Sequence, residues 1–245
     1  MKLIKLDAID STNTFLKNLA VNVELDDFTV VSAKHQLSGK GQMGSEWVSE
    51  VDKNLMFSVY KRFERLTIEN QFCISMIVSL TIHEVLSALK LSKIKIKWPN
   101  DILSCDKKVG GVLIENKLKD KQIESSIIGI GLNVNQTVFR NLNQASSLYV
   151  NYKRKFDRDN LLKQIVNRLE INFKKYDFSS SDSINELHSN YEKLLFNLNL
   201  LKPYRLQDET IFDGVIKGVT EIGELKIEVN GVNETFNIKE IRFLY

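Results

Sequence analysis

Histidine and cysteine are scarce in this 245-residue chain, which has His35, His83, His188, Cys73 and Cys105 and no others. None of the five stands at the spacing of a tetrahedral metal centre, which argues against structural zinc. Two isolated cysteines make no disulfide framework and read as reduced thiols of a cytoplasmic protein. The start, Met-Lys-Leu-Ile-Lys-Leu-Asp, lacks the apolar run of a signal peptide, and no apolar stretch is long enough to span a bilayer. No membrane partner is therefore expected. A formal net charge of +3, with no basic run interleaved with aromatics, gives no ground for a DNA partner. Proline occurs only at Pro99 and Pro203, and glycine is missing between Gly131 and Gly214.

What is present suits a folded enzyme-sized chain. An apolar content of 43% against 27% charged allows a full hydrophobic core in one domain or two. Residues 2–6 read as a short strand. Asp10 and Ser11 then offer N-cap oxygens to a helix carrying Phe15, Leu16 and Leu19. Strands are expected at 28–32, with Val30 and Val31 buried, at 45–49, at 54–60 and at 123–134. Residues 67–90 give a long core helix with Phe72, Met76, Leu80, Val85, Leu86 and Leu89 on one stripe and Thr67 as its cap. Two further helices are expected at 157–176 and 182–195. After Pro203, Gly214, Gly218, Gly223 and Gly231 punctuate short β runs at 210–217, 224–229 and 234–243, the pattern of a small β-barrel.

The stretch richest in chemistry is Lys95-Ile-Lys-Trp-Pro-Asn-Asp101 followed by Lys107-Lys-Val-Gly-Gly111. Ile94, Ile96 and Trp98 alternate with lysines, the pattern of a strand with one wet face, and Pro99 ends it. A polar turn at 104–107 then suggests a hairpin of this strand with 109–114, bringing Lys108 close to Asp101. A cation and a carboxylate beside two side-chain-free residues suit an anionic ligand. Lys108 is otherwise one more exposed hairpin lysine. The same two readings stand for Gly39-Lys-Gly-Gln-Met-Gly44, which is either a plain surface hairpin or a loop whose N–H groups wrap an anion. Trp47 is either core or the cover of a flat ligand. Ser11 and Thr12 are either caps or ligand groups, and Asn133 either a turn residue or a contact.

Lys97-Trp-Pro-Asn-Asp101 with Lys108 and Gly111, together with Asp10-Ser-Thr-Asn13, Gln36, the 39–44 loop with Trp47, and Gly129-Ile-Gly-Leu-Asn133, resembles the biotin protein ligases in motif and in motif order. The resemblance spans nearly the whole chain. It implies an α+β fold: a mixed or antiparallel sheet flanked by helices over residues 1–200, like the class II synthetase catalytic domain, then an SH3-like small β-barrel over 203–245. The implied activity is that of a biotin–[acetyl-CoA-carboxylase] ligase. Biotin and Mg-ATP would give biotinyl-5′-AMP, and biotin would pass to a lysine of a biotin carboxyl carrier domain, the expected partner.

By the same resemblance Lys108 and Asp101 are the catalytic pair, and Asp101 is also the candidate Mg2+ ligand. Ser11, Thr12, Asn13, Gln36, Gly39, Lys40, Gly41, Lys108 and Gly111 would bind biotin. Gly41, Gln42, Met43, Gly44, Trp47, Lys97, Asn100, Gly131 and Asn133 would bind ATP and the adenylate. Gln42 departs from the family, which usually has arginine there and often another where this chain has Lys40. Because the Ser-Thr-Asn motif starts at residue 11, a preceding DNA-binding helix-turn-helix and a repressor role are not expected. The protein would be a monomer or a homodimer. Two alternatives are a lipoate or octanoate ligase of the same fold, and a catalytically silent adaptor.

Overall fold

The computed structural model describes residues 2–139 and 142–244. The N-terminal run forms β1 (Lys2–Ile9), longer than expected because its backbone pairs in parallel with β2 (Thr29–Gln36), where Val30 and Val31 are fully buried. Between them lies α1 (Thr12–Asn22), capped by the Ser11 hydroxyl, which accepts from the Thr14 N–H. Next come β3 (Leu55–Arg62), α2 (Phe72–Ala88), β4 (Ile94–Lys97), β5 (Asp101–Ser104), β6 (Lys107–Lys119) and β7 (Gln122–Leu132). Together they complete a seven-stranded mixed sheet of order β1-β2-β3-β7-β6-β5-β4.

The chain continues through α3 (Leu148–Tyr152), α4 (Arg158–Lys175) and α5 (Ser181–Glu192) to a second sheet. That sheet is antiparallel and holds β8 (Leu201–Leu206), β9 (Ile211–Val219), β10 (Leu225–Val229), β11 (Val232–Phe236) and β12 (Ile241–Phe243), in the order β11-β10-β9-β8-β12. It curls so that Phe236 of β11 stacks on Phe212 of β9, two strands away, while Tyr204 meets Phe243 edge-on.

The two faces of the large sheet are covered unequally, and that asymmetry makes the site. Phe57, Val112 and Ile130 face α2, which is buried nearly all round, more deeply than a one-sided stripe implies, because α4 and α5 cover its other side. The buried Asn172 amide of α4 ties the layers, donating to the Thr81 hydroxyl at 2.9 Å and to Glu84 at 3.0 Å. On the opposite face α1 covers only the region around Val31 and Ile127, where Leu16 is fully buried. Among the described residues no α-helix covers the strip beside it.

Five expectations require correction. Residues 45–49 form no strand: apart from the Lys40–Glu46 bridge they find no ladder partner, and Val48 is exposed. The long helix starts at Phe72, not at 67, because Thr67 bridges Gln122 and its carbonyl closes a turn to Asn70; Thr67 is therefore no cap. The hairpin expected between the Lys97 strand and the Gly110 strand is two hairpins, since the chain already reverses at 98–100 and β5 inserts between β4 and β6. Pro203 lies inside β8, which the sequence reading missed, and the second sheet begins at Leu201. The run 234–243 breaks at 237–240 into β11 and β12, where the Glu240 N–H closes a turn on the Asn237 carbonyl. Helix α3 was also missed; its five residues are too few to show a period.

Candidate active site

Cross-strand register, which no sequence motif displays, lines up one row of residues on the open face. It runs Lys97 of β4, Asp101 of β5, Gly111 of β6, Gly131 of β7 and Met56 of β3. The next row on that face is Leu113, Gly129 and Ser58. Because side chains alternate along a strand, these two rows share a face. Their glycines leave a bare floor. Trp47 lies on it: a Cβ at Gly131 would come within 2.6 Å of the indole. Gly129 is needed for another reason, since a Cβ there would stand 2.2 Å from the Asn13 Oδ1. The close approach at Gly129 is thus made by this chain's own asparagine.

Lys108 reaches this face through a β-bulge. It stands three positions before Gly111, so in an unbroken strand the two would point to opposite sides. The β5–β6 register slips between Ile102 and Leu103, adding one residue to β6, and Val109 turns into the core while Lys108 turns to the cleft. There its ammonium stands 2.5 Å from Asp101 Oδ1, 5.9 Å from the Trp47 ring centroid and over the bare Gly111. Lys97 is 3.8 Å from the other Asp101 oxygen and 5.2 Å from the ring of Phe243, which belongs to the second sheet. The Asp101 carboxylate is mostly buried at 15% exposure, so two lysines compensate a charge that water reaches poorly.

At one end of the floor the start of α1 forms a polar wall. The Gln36 Oε1 accepts from the Thr12 N–H at 2.8 Å and from its hydroxyl at 3.0 Å. Asn13 donates its amide to Glu115 at 3.0 Å and to the Leu113 carbonyl at 3.3 Å. Ser58, fully buried, joins Thr12 and Asn13. Ser11, Thr12 and Asn13 are each 3% exposed.

A cleft of about 190 Å³ runs from this wall past Gly41, Gln42, Trp47 and Gly111 to Lys108 and Asp101. A second hollow of about 400 Å³ shares Trp47, Asp101 and Lys108 and extends to Lys97, Asn133 and Phe243. Most of the anticipated residues therefore line two connected hollows with the lysine–aspartate pair where they meet, while Gly39, Met43 and Gly44 line neither. The loop closes over them through the Trp47 N–H bonded to the Gly39 carbonyl at 2.9 Å.

Several anticipated side chains serve the scaffold here. The Asn100 amide donates to the Val112 carbonyl at 2.7 Å, and the buried Asn133 donates to the Ser146 carbonyl at 3.0 Å. The Met43 side chain is exposed and its carbonyl accepts from Lys239, in the turn between β11 and β12, at 3.0 Å. Gly39 and Gly44 border the outer side of the loop, and Lys40 borders both sides. The sequence reading missed Ser58, Glu115 and Phe243. Ser58 and Phe243 lie outside every motif, and only the alternation of β3 hinted that a serine faced Gly129. As for metal, no group of three or more histidine, cysteine or carboxylate side chains stands together among the described residues, and Asp101 alone makes no cage.

A mixed sheet flanked by helices, with an open face floored by glycine, is the architecture of a class II synthetase-like catalytic domain, and here a second antiparallel sheet follows it. Residues 6–133 match the model of the Biotin/lipoate A/B protein ligase family, and the chain belongs to that family. It is 27% identical over 232 residues to the bifunctional ligase/repressor BirA of Escherichia coli K12, spanning 93% of this chain and 69% of that protein. It is 29% identical over 127 residues to the biotin–[acetyl-CoA-carboxylase] ligase of Paracoccus denitrificans, about half of each chain. The solved biotin protein ligase of Aquifex aeolicus, in complex with biotin and ATP, superposes with a TM-score of 0.80 at 28% identity over 99% of both chains.

Proposed function

We infer that this protein is a biotin–[biotin carboxyl carrier protein] ligase. The observation that carries this is the Lys108–Asp101 pair at the junction of two hollows, one ending at the Ser11–Thr12 wall and the other at Asn133. In this reading the polar wall takes the ureido ring of biotin, a group that needs hydrogen-bond partners once buried. The biotin carboxylate then points along the glycine floor to Lys108. ATP lies across the junction, its base toward Asn133 under Trp47 and its α-phosphate beside Lys108.

The carboxylate oxygen attacks the α-phosphorus, the bond to the bridging oxygen breaks, and pyrophosphate leaves biotinyl-5′-AMP behind. A deprotonated lysine amine of the carrier attacks the mixed anhydride next, and AMP departs. Both steps gather negative charge at one place, and the fixed Lys108 ammonium offsets it there. A preorganised group of this kind is worth roughly 3–4 kcal/mol. Asp101 holds that ammonium in place, with Lys97 closing the other side. Mg2+ would arrive with the triphosphate, whose oxygens supply most of its ligands, and Asp101 could add one oxygen. The 39–44 loop would keep water from the anhydride.

Residues 1–200 would hold the substrates, and residues 201–245 would form a separate module that touches the site through Phe243 and the loop through Lys239. Cys73 and Cys105 are free, as in a reducing cytoplasm. A lipoate or octanoate ligase is the nearest rival, and the hydroxyl and amide groups of the wall disfavour an apolar dithiolane or alkyl end. The test is biotin-dependent ATP–pyrophosphate exchange with lipoate as competing acid, followed by transfer to a carrier domain. Exchange and transfer with biotin alone are expected. Exchange with lipoate alone would overturn the reading in favour of the rival, and none with either acid would leave the silent adaptor.

A further inference from the structure

Lys108 owes its direction to a bulge, and a bulge interrupts the ladder that fixes a strand residue in place. On its other side Lys108 also lies past the regular sheet, since β7 stops at Leu132, level with Gly110. A short strap takes that position. Residues 144–146 run parallel to Lys108 through a bridge at Ala145. The Lys108 N–H donates to the Gln144 carbonyl at 2.7 Å, and its carbonyl accepts from the Ser146 N–H at 2.9 Å. Both main-chain groups of the lysine are spent on the strap, so the aim of its side chain follows the strap.

The strap is braced from two directions, both through Ser146, which is buried. The Ser146 carbonyl accepts from the Asn133 amide at 3.0 Å, and the Asn133 N–H donates to the Val109 carbonyl at 2.7 Å. These bonds tie strap and bulge to the end of β7. In the other direction the Ser146 hydroxyl donates to the Asn151 Oδ1 at 2.6 Å, and the Asn151 Nδ2 donates to the Ser104 carbonyl at 2.9 Å. Ser104 closes β5, the strand that opens with Asp101. Asn151 of α3 therefore links the strand of Asp101 to the strap of Lys108, where their own ladder slips. Ser146 and Asn151 line neither hollow, and no motif contains them.

We propose that Ser146 and Asn151 are positioning residues, which hold the bulge so that the Lys108 ammonium stays on Asp101 and aimed at the reacting phosphate. Neither touches the substrates; each acts through the main chain of Lys108. The proposal rests on the adenylation reading above and deepens it, since it says what fixes the cation on which that step depends.

The experiment measures biotin-dependent pyrophosphate exchange in the wild type, Ser146→Ala, Asn151→Ala, Lys108→Ala and the Lys108→Ala/Asn151→Ala double variant. Asn151→Ala should lower kcat about tenfold and leave the KM values for biotin and ATP within about twofold, because the groups that line the hollows stay in place. Ser146→Ala keeps the Asn151–Ser104 bond and should lower kcat by less. The double variant should be no slower than Lys108→Ala, since nothing is left to position once the ammonium is gone. Denaturant unfolding midpoints identify a variant that is unfolded in the assay; if Asn151→Ala is one, the kcat and KM values of Ser146→Ala decide. An unchanged kcat in the folded single variants, a loss confined to KM, or losses that multiply in the double variant would overturn the proposal. A wild type without exchange would instead sink the ligase reading.

Discussion

The wall at residues 11–13 and the loop at residues 39–47 face each other across one cleft and are held in opposite ways. In the wall, hydroxyl and amide groups buried to within a few per cent bond one another and β3, and α1 is packed behind by the fully buried Leu16. In the loop the tip is a single turn at Gln42–Gly44 with Met43 in the left-handed region, its side chain exposed. Three main-chain bonds, from the N–H groups of Gly41, Ser45 and Trp47 to the carbonyls of Ser45, Gln42 and Gly39, together with the Ser45 hydroxyl on the Gln42 carbonyl and the Lys239 contact, hold it. A buried network has few alternative arrangements, because each change leaves a polar atom unpaired. An exposed loop with few bonds opens at little cost. In the proposed reading the wall would choose the acid, and the loop would admit and retain it.

The largest expected effect lies between the two regions. Lys108→Ala should cut exchange by about 10²–10³-fold with little change in the biotin Kd, because it removes the cation and leaves the wall intact. Equal losses in rate and in biotin affinity would mean that Lys108 belongs to the wall. Gly129→Ala should break the wall specifically. Its methyl meets the Asn13 amide at 2.2 Å, so stability should fall by about 1–3 kcal/mol and biotin binding should weaken. Unfolding midpoints in denaturant and a biotin titration check both. Trp47→Ala should act only on the loop, uncovering the floor at Gly131 while thermal stability changes little. Roughly tenfold faster loss of the adenylate is expected, read by filter retention of labelled biotinyl-AMP; an unchanged rate would deny the loop its retaining role.

The smallest effect concerns the scaffold that both regions share. Burial lowers the pKa of His83 on α2 and of His188 on α5 below the ordinary 6.5. The folded state then prefers the neutral rings, while the unfolded chain takes up protons near pH 6.5. The stability these neutral rings contribute is present above that pH and is lost as pH falls below it. Thermal midpoints should drop between pH 7.5 and 5.5, and His188→Gln should lessen the drop. An identical pH slope in the variant would remove His188 from the account.

Much of this was legible in the residues. Ser11 caps α1 as its hydroxyl and position predict, the α4 periodicity gives a helix buried along Leu161, Leu162, Ile165, Val166 and Leu169, and the apolar run at 123–134 gives β7. The approach of Lys108 to Asp101 was also foreseen, though through the wrong hairpin. Misreadings gathered where a partner strand was decisive. Residues 45–49 have strand composition and no ladder, while Leu201–Leu206 contains a proline and has ladders on both sides. Asn13, Asn100 and Asn133 looked like ligand groups and spend their amides on the backbone or on other side chains.

Local chemistry alone determined which segments cap, turn and cross the core, because those choices depend on a residue and its near neighbours. It also set out the motif residues in order. Only the tertiary structure decided which face each residue serves. The bulge that turns Lys108 to the cleft, the cross-strand row that lays Gly111 beside Gly131 under Trp47, and the burial of Ser58 against Thr12 all arise from strand pairing. A one-residue slip in pairing reverses every side chain that follows, and a single sequence carries no record of its register.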